Sequence, residues 1–189
     1  MLFKQSGIPF PRDGGLNLFM MSMIQYKSYL TSRMLNKHKM SSQSIHYTLI
    51  TPTVAIGDIY SPYNEFDVIV NLSNNSKADI GEIYIEDVNR VGTLNPIQII
   101  HIGLIDRADQ AECCKKLIGE IIPSLLQQCE KRILFHCNTG KSRSATFAVA
   151  FLSRLFSKNA MDVLEDVIRK RPIVKPNVGF MYILQKMSN

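Results

Sequence analysis

No apolar run in this sequence approaches the roughly 20 residues needed to span a bilayer. The longest candidate, Leu16 to Ile24, contains Asn17 and Ser22 and is followed by Lys27, with no convincing small-residue cleavage site of a secretory signal after it. A Cys-x-x-Cys pair is also missing. The four cysteines are Cys113, Cys114, Cys129 and Cys137, two of them adjacent, so neither a disulfide framework nor a zinc site is expected from them. Their pattern fits a reducing, intracellular setting, cytoplasmic or nuclear. Internal repeats and low-complexity tracts are absent as well. What remains is a chain of 189 residues with 46% hydrophobic content, which suits one soluble domain and an appended arm.

Acidic residues are nearly lacking from the first 44 positions. Six basic residues there (Lys4, Arg12, Lys27, Arg33, Lys37, Lys39) face only Asp13, a net +5 of the chain's +6. The other 145 residues are close to neutral, with sixteen basic against fifteen acidic groups. That balance counts against nucleic acid as a partner, short of exclusion, because a backbone reader needs a basic face on the fold itself. Residues 1–15 hold two Pro and three Gly and read as unstructured. Leu16, Phe19, Met20, Met23, Tyr26, Leu30 and Met34 then lay an apolar stripe along a helix. Three readings of this arm stay open: a helix docked on the domain, a targeting or membrane-surface helix, or a segment preceding an internal start such as Met40.

The domain is expected over residues 45–189. Ile45–Ile50 and Thr53–Gly57 read as strands separated by Pro52, and Phe66–Leu72 as a third, closed by the polar turn Ser73-Asn74-Asn75-Ser76. Ile97–Leu104 is β-rich. Gln110–Cys129 is helical, with Leu117, Ile118, Ile121, Ile122, Leu125 and Leu126 on one face and a bend expected at Pro123. Ile133–Phe135 is a short buried strand, followed by helices over 144–156, 160–170 and 176–187. The expected class is α/β: a central mixed, mainly parallel sheet flanked by helices, with a helical C-terminal half.

The loop between that last strand and its helix reads His136-Cys137-Asn138-Thr139-Gly140-Lys141-Ser142-Arg143-Ser144. Its Thr-Gly-Lys-Ser core resembles the end of a nucleotide-binding P-loop, but the first glycine of that motif would have to be residue 135, which is Phe135. The nucleotide reading fails there. A strand–loop–helix turn still aims successive backbone N–H groups and a helix dipole at one centre. Gly140 allows the tight fold, and Arg143 offers a planar fork to two phosphate oxygens. Cys137 sits in the same positive field, which favours its thiolate, the nucleophilic form.

These residues resemble the active-site motif of the cysteine-dependent protein tyrosine phosphatases, specifically the small dual-specificity phosphatases. The resemblance covers about residues 46–189. Ile50-Thr51-Pro52 with Val54–Gly57 is similar to the family's opening strand pair, and Val68–Ser73 to its next core strand. Arg171-Pro172 with Pro176-Asn177-x-Gly179-Phe180-Met181 is similar to its C-terminal motif. It implies Cys137 as nucleophile, Ser144 stabilising the leaving thiolate, and Arg143 with the amides of Asn138, Thr139, Gly140, Lys141 and Ser142 holding the phosphoryl oxygens. His136 and Asn177 would support the loop. Asp106, after the apolar strand at 97–104, is the expected general acid, with Asp109 the competitor. Lys141 either adds potential toward highly charged substrates or faces solvent, and His101 reads as a hydrogen-bonded strand residue.

The family works without metal or cofactor on phosphorylated proteins. A non-protein substrate (RNA 5′-phosphates or phosphoinositides) and a catalytically silent phosphoprotein-binding module are the alternatives. Two departures stand out. No counterpart of the tyrosine-specific enzymes' aromatic recognition loop is present, which implies a shallow pocket, and Lys77 to Asn95 matches nothing in the family pattern.

Overall fold

The computed structural model describes residues 45–89 and 96–188, so the expectations for residues 1–44 lie outside it. Six strands form one sheet: β1 (Tyr47–Leu49), β2 (Val54–Gly57), β3 (Val68–Asn71), β4 (Ile83–Val88), β5 (Ile97–Ile102) and β6 (Ile133–His136). Their order is β1-β2-β6-β3-β5-β4. The four inner strands are parallel, and β1 and β4 close the two edges antiparallel. The expected mixed, mainly parallel sheet is what forms. β4 was not among the expected strands. Its six residues are all partly or fully exposed, so it lacks the buried alternation that marks the inner strands.

β2, β3 and β6 are buried along their whole length, as parallel strands covered on both faces must be. Pleating sends Phe135 toward one layer, where its ring meets Phe151 of helix α2 (Arg143–Phe156) at 5.7 Å. It sends Leu134 to the other, where Ala55, Ile69, Ile97 and Ile99 gather under Tyr47 and Phe66. Each fully buried Phe contributes roughly 1.5–3 kcal/mol. α2 is buried at every residue except Arg154 and Phe156, which makes it the central helix of the C-terminal half.

Around α2 lie α1 (Ala111–Leu126), α3 (Ala160–Lys170) and α4 (Val178–Lys186). α3 buries Ala160, Val163, Leu164 and Val167, a single helical stripe, and Asn159 caps it by accepting the Met161 N–H. α1 continues through Pro123, the position at which a bend is expected. Pro123 and Gly119, the residue whose carbonyl loses its donor, are both on the solvent face, where water can serve that carbonyl.

β6 lies at the middle of the parallel strands, with His136 in register with Gly57 on one side and Asn71 on the other. The loop that follows therefore leaves from the carboxyl ends of the inner strands, where open α/β sheets bind ligands.

Candidate active site

Residues 137–142 are pinned to the sheet by their backbone. The Cys137 N–H donates to the Gly57 carbonyl at 3.4 Å, and the Ile59 N–H donates to the Asn138 carbonyl at 3.4 Å. Gly140 has φ +67°, and a Cβ there would meet the Gly57 carbonyl oxygen at 2.7 Å and Arg171 Nη2 at 2.5 Å. Only glycine fits both the angle and the space. Arg171 closes the loop from behind: its Nε donates to the Gly140 carbonyl (3.1 Å) and its Nη1 to Thr48 Oγ1 on β1 (3.0 Å). That gives the Arg171-Pro172 pair a structural purpose, since a buried guanidinium here ties the loop to the edge of the sheet. The Lys175 N–H donates to the Lys141 carbonyl, while Lys141 and Thr139 themselves are exposed.

Cys137 is buried at the base of the loop, its Sγ 3.3 Å from Ser144 Oγ. Burial alone would push the thiol up. The Ser144 hydroxyl, the backbone N–H groups of Ser144 and Thr139, and the Arg143 charge outweigh it and hold the thiol below its ordinary value. The other three cysteines are shifted the opposite way, chiefly by burial. Cys113 and Cys114 belong to α1, with Cys114 in its packed face.

Arg143 opens α2 and is buried, at 5% exposure. Nη1 donates to Asn74 Oδ1 (2.9 Å) and to the Leu104 carbonyl (3.3 Å), and Nη2 donates to Asn138 Oδ1 (3.1 Å). Nε lies 3.9 Å from Asp106 Oδ2.

The two candidate acids part company here. Asp106 Oδ1 accepts from Ser142 Oγ (2.7 Å) and Asn177 Nδ2 (2.8 Å), so the carboxylate is latched onto the loop. Asp109 is paired with Arg107, and both side chains are more than half exposed. That pairing, a hydrogen bond first and charge second, lowers the Asp109 carboxyl, the wrong direction for a proton donor. Asn177 does more than support the loop. Its N–H donates to Ser142 Oγ at 3.1 Å, its Oδ1 caps α4 by accepting the Phe180 N–H, and its Nδ2 holds Asp106.

His136 lies behind the loop. Its Nε2 is 2.5 Å from Tyr63 Oη, and its carbonyl accepts the Leu72 N–H. Burial is the leading cause that lowers its imidazole from 6.5 to about 4, so the folded state keeps it neutral. The unfolded chain binds a proton near 6.5, so between pH 4 and 6.5 unfolding takes up a proton and stability rises with pH. About 3 kcal/mol is present above pH 6.5 and lost as pH falls toward 4. Melting temperatures at pH 7 and pH 4.5 should therefore diverge more in the parent chain than in His136→Asn. Equal divergence would mean that the ring does not carry this dependence.

Of the expected residues, Asn138, Ser142, Arg143, Asp106 and Asn177 are joined by side-chain contacts beside the Cys137–Ser144 pair, whereas Thr139 and Lys141 are exposed and His136 lies behind the loop. Asn74, the Asn138 side chain, the Leu104 carbonyl and Tyr63 also contact these residues, although no motif in the sequence marks them. Asn74 lies in the polar turn after β3, at the carboxyl end of an inner strand, and that position was the available signal. His101, expected as a bonded strand residue, sits in β5. Its Nδ1 accepts from Asn71 Nδ2 (3.2 Å) and the Lys77 N–H (3.3 Å), and its Nε2 donates to Glu86 (3.0 Å).

Comparison with known proteins gives the same picture. The family model described as "Dual specificity phosphatase, catalytic domain" matches residues 55–189. Dual specificity protein phosphatase 18 of Pongo abelii is 29% identical over 110 residues, 58% of this chain and 57% of that protein. Tyrosine-protein phosphatase pmp1 of Schizosaccharomyces pombe is 25% identical over 146 residues, 74% of this chain and 50% of the relative. The matched part is thus about half the length of these curated relatives. Among solved structures, human DUSP28 superposes with a TM-score of 0.56 at 18% identity, covering 78% of this chain and 96% of that one, a likeness of fold.

Proposed function

The chain belongs to the family of dual specificity phosphatase catalytic domains, and we propose that it hydrolyses phosphotyrosine and phosphoserine or phosphothreonine in proteins through a phosphocysteine intermediate. The observation that carries this reading is the convergence of a lowered thiol at Cys137, the Arg143 guanidinium and the Asp106 carboxyl on one oxyanion cradle. The names of the relatives supply the substrate class: one is called a dual specificity protein phosphatase and another a tyrosine-protein phosphatase.

In the first step the Cys137 thiolate attacks phosphorus and forms an S–P bond. The ester P–O bond breaks, and the leaving oxygen takes the proton of Asp106. Oδ1 of that carboxyl is held by Ser142 and Asn177, which leaves Oδ2 to carry the proton. In the second step the Asp106 carboxylate takes a proton from water, and the resulting hydroxide attacks phosphorus. The S–P bond breaks, inorganic phosphate departs, and the returning thiolate is received by the Ser144 hydroxyl. The loop amides and Arg143 hold the equatorial oxygens throughout. A silent binding module would be expected to lack one of nucleophile, arginine or acid, and the presence of Cys137, Arg143 and Asp106 supports the enzyme reading over it.

Purified full-length protein should hydrolyse a generic aryl phosphate in the presence of EDTA, with inhibition by vanadate. Absence of turnover, or dependence on a divalent cation, would sink the chemistry. Phosphotyrosine and phosphoserine peptides, assayed beside RNA 5′-triphosphate and phosphoinositides, test the substrate class, and a preference for either of the last two would reassign it.

A further inference from the structure

We propose that Asn74 is a positioning residue for Arg143. It fixes the guanidinium so that the N–H groups needed by the phosphoryl group are already free and aimed into the cradle. This rests on the phosphatase reading above.

A guanidinium has five N–H groups and no acceptor. Both hydrogens of Nη1 are engaged, by Asn74 Oδ1 and the Leu104 carbonyl, and one of Nη2 is engaged by Asn138 Oδ1. Nε is buried and finds no hydrogen-bond partner among the described residues. A buried charged donor left unsatisfied is costly unless an acceptor is meant to arrive. The Nε–H and the remaining Nη2–H are what the clamp leaves for two oxygens of a phosphoryl group.

Asn74 contributes twice to that clamp. Its side chain takes Nη1, and its backbone N–H donates to Asn138 Oδ1 at 2.8 Å, which orients the amide oxygen that takes Nη2. The turn bearing it is fixed beforehand. Asn71 Oδ1 accepts from both the N–H (2.9 Å) and the Oγ of Ser73 (2.7 Å), and Ser73 Oγ accepts the Asn75 N–H. The Ser76 N–H closes on the Ser73 carbonyl, and His101 receives the Lys77 N–H. His101 is in turn held by Glu86, which Lys77 Nζ also binds. A turn held in this way removes entropy that the long arginine side chain would otherwise lose at the moment of binding.

The test is a double-mutant cycle between Asn74→Leu, which keeps the branched skeleton and removes the acceptor, and Arg143→Ala. On an aryl phosphate, Asn74→Leu alone should lower kcat/KM about 10-fold, the usual scale for one hydrogen bond to a charged group. In the Arg143→Ala background the same change should cost less than about twofold. Alkylation of Cys137 by neutral iodoacetamide should change little, because Ser144 and Thr139 lower its thiol more than Arg143 does, while the melting temperature should fall, since the buried Arg143 Nη1 loses an acceptor. An equal loss in both backgrounds, or no loss in the parent background, overturns the proposal. Tungstate binding by calorimetry separates it from the catalytic reading. If the parent chain binds tungstate without turning over ester, the catalytic reading fails while the cycle is still read in affinity. If it binds none, both fail.

Discussion

Cys137→Ser is expected to lower kcat by at least ~10,000-fold while leaving the fold and the binding of phosphorylated ligand in place. The expectation follows from what the loop does to sulfur. Burial opposes a charged side chain at this site, and a hydroxyl, two backbone N–H groups and a guanidinium are needed to reverse that opposition. The same field acting on an alcohol leaves it protonated, because a serine hydroxyl starts from a far weaker acidity than a thiol. The phosphate cradle does not change, since its amides, Arg143 and the Asn74 and Asn138 clamp are untouched. A phosphotyrosine peptide should therefore bind the variant and stay bound. Chemical labelling checks the same premise. At about pH 6, iodoacetate should modify Cys137 before Cys113, Cys114 or Cys129, whose thiols are all raised, and vanadate should protect it. Turnover surviving in the serine variant, or indiscriminate labelling of all four thiols, would remove Cys137 from the mechanism.

The legible part of this protein was the part in which spacing and chemistry coincide. Cys137, Gly140, Arg143 and Ser144 lie within eight consecutive positions, so the turn that assembles them is local and the motif reads directly. Asp106 was reachable because an apolar strand leads into it, but only tertiary structure separates it from Asp109. The difference is whether the carboxylate faces Ser142 and Asn177 or pairs outward with Arg107. Asn74 was not legible as a functional residue. It meets Arg143 across 69 positions of sequence, and a polar turn after a strand has the same composition whether or not it touches a site. β4 escaped for a related reason. An edge strand exposed on both faces has no period-2 burial to print on the sequence. Pro123 did not end α1, because a helix tolerates proline where the abandoned carbonyl faces water, and which face that is depends on the packing of α1.

Asp106→Asn should lower kcat about 100- to 10,000-fold on phosphoserine and other poor leaving groups, while Asp109→Asn stays within about twofold of the parent. Asparagine preserves the geometry well, since its amide oxygen can still accept from Ser142 Oγ and Asn177 Nδ2. What it removes is the proton at the second oxygen. The deficit should therefore track the leaving group: large for an alkyl alcohol, smaller for a phenol, and smallest for an activated aryl oxide that departs without protonation. It should not vanish even there, because hydrolysis of the phosphocysteine still calls on the same carboxylate as base. Asp109 gives a clean contrast, because its carboxylate is held in the ionised form by Arg107 at the surface. If Asp109→Asn produced the larger loss, or if the Asp106→Asn deficit were the same for every leaving group, the acid would have to be sought elsewhere. The Ser142–Asp106–Asn177 bridge would then be an anchor for the loop alone.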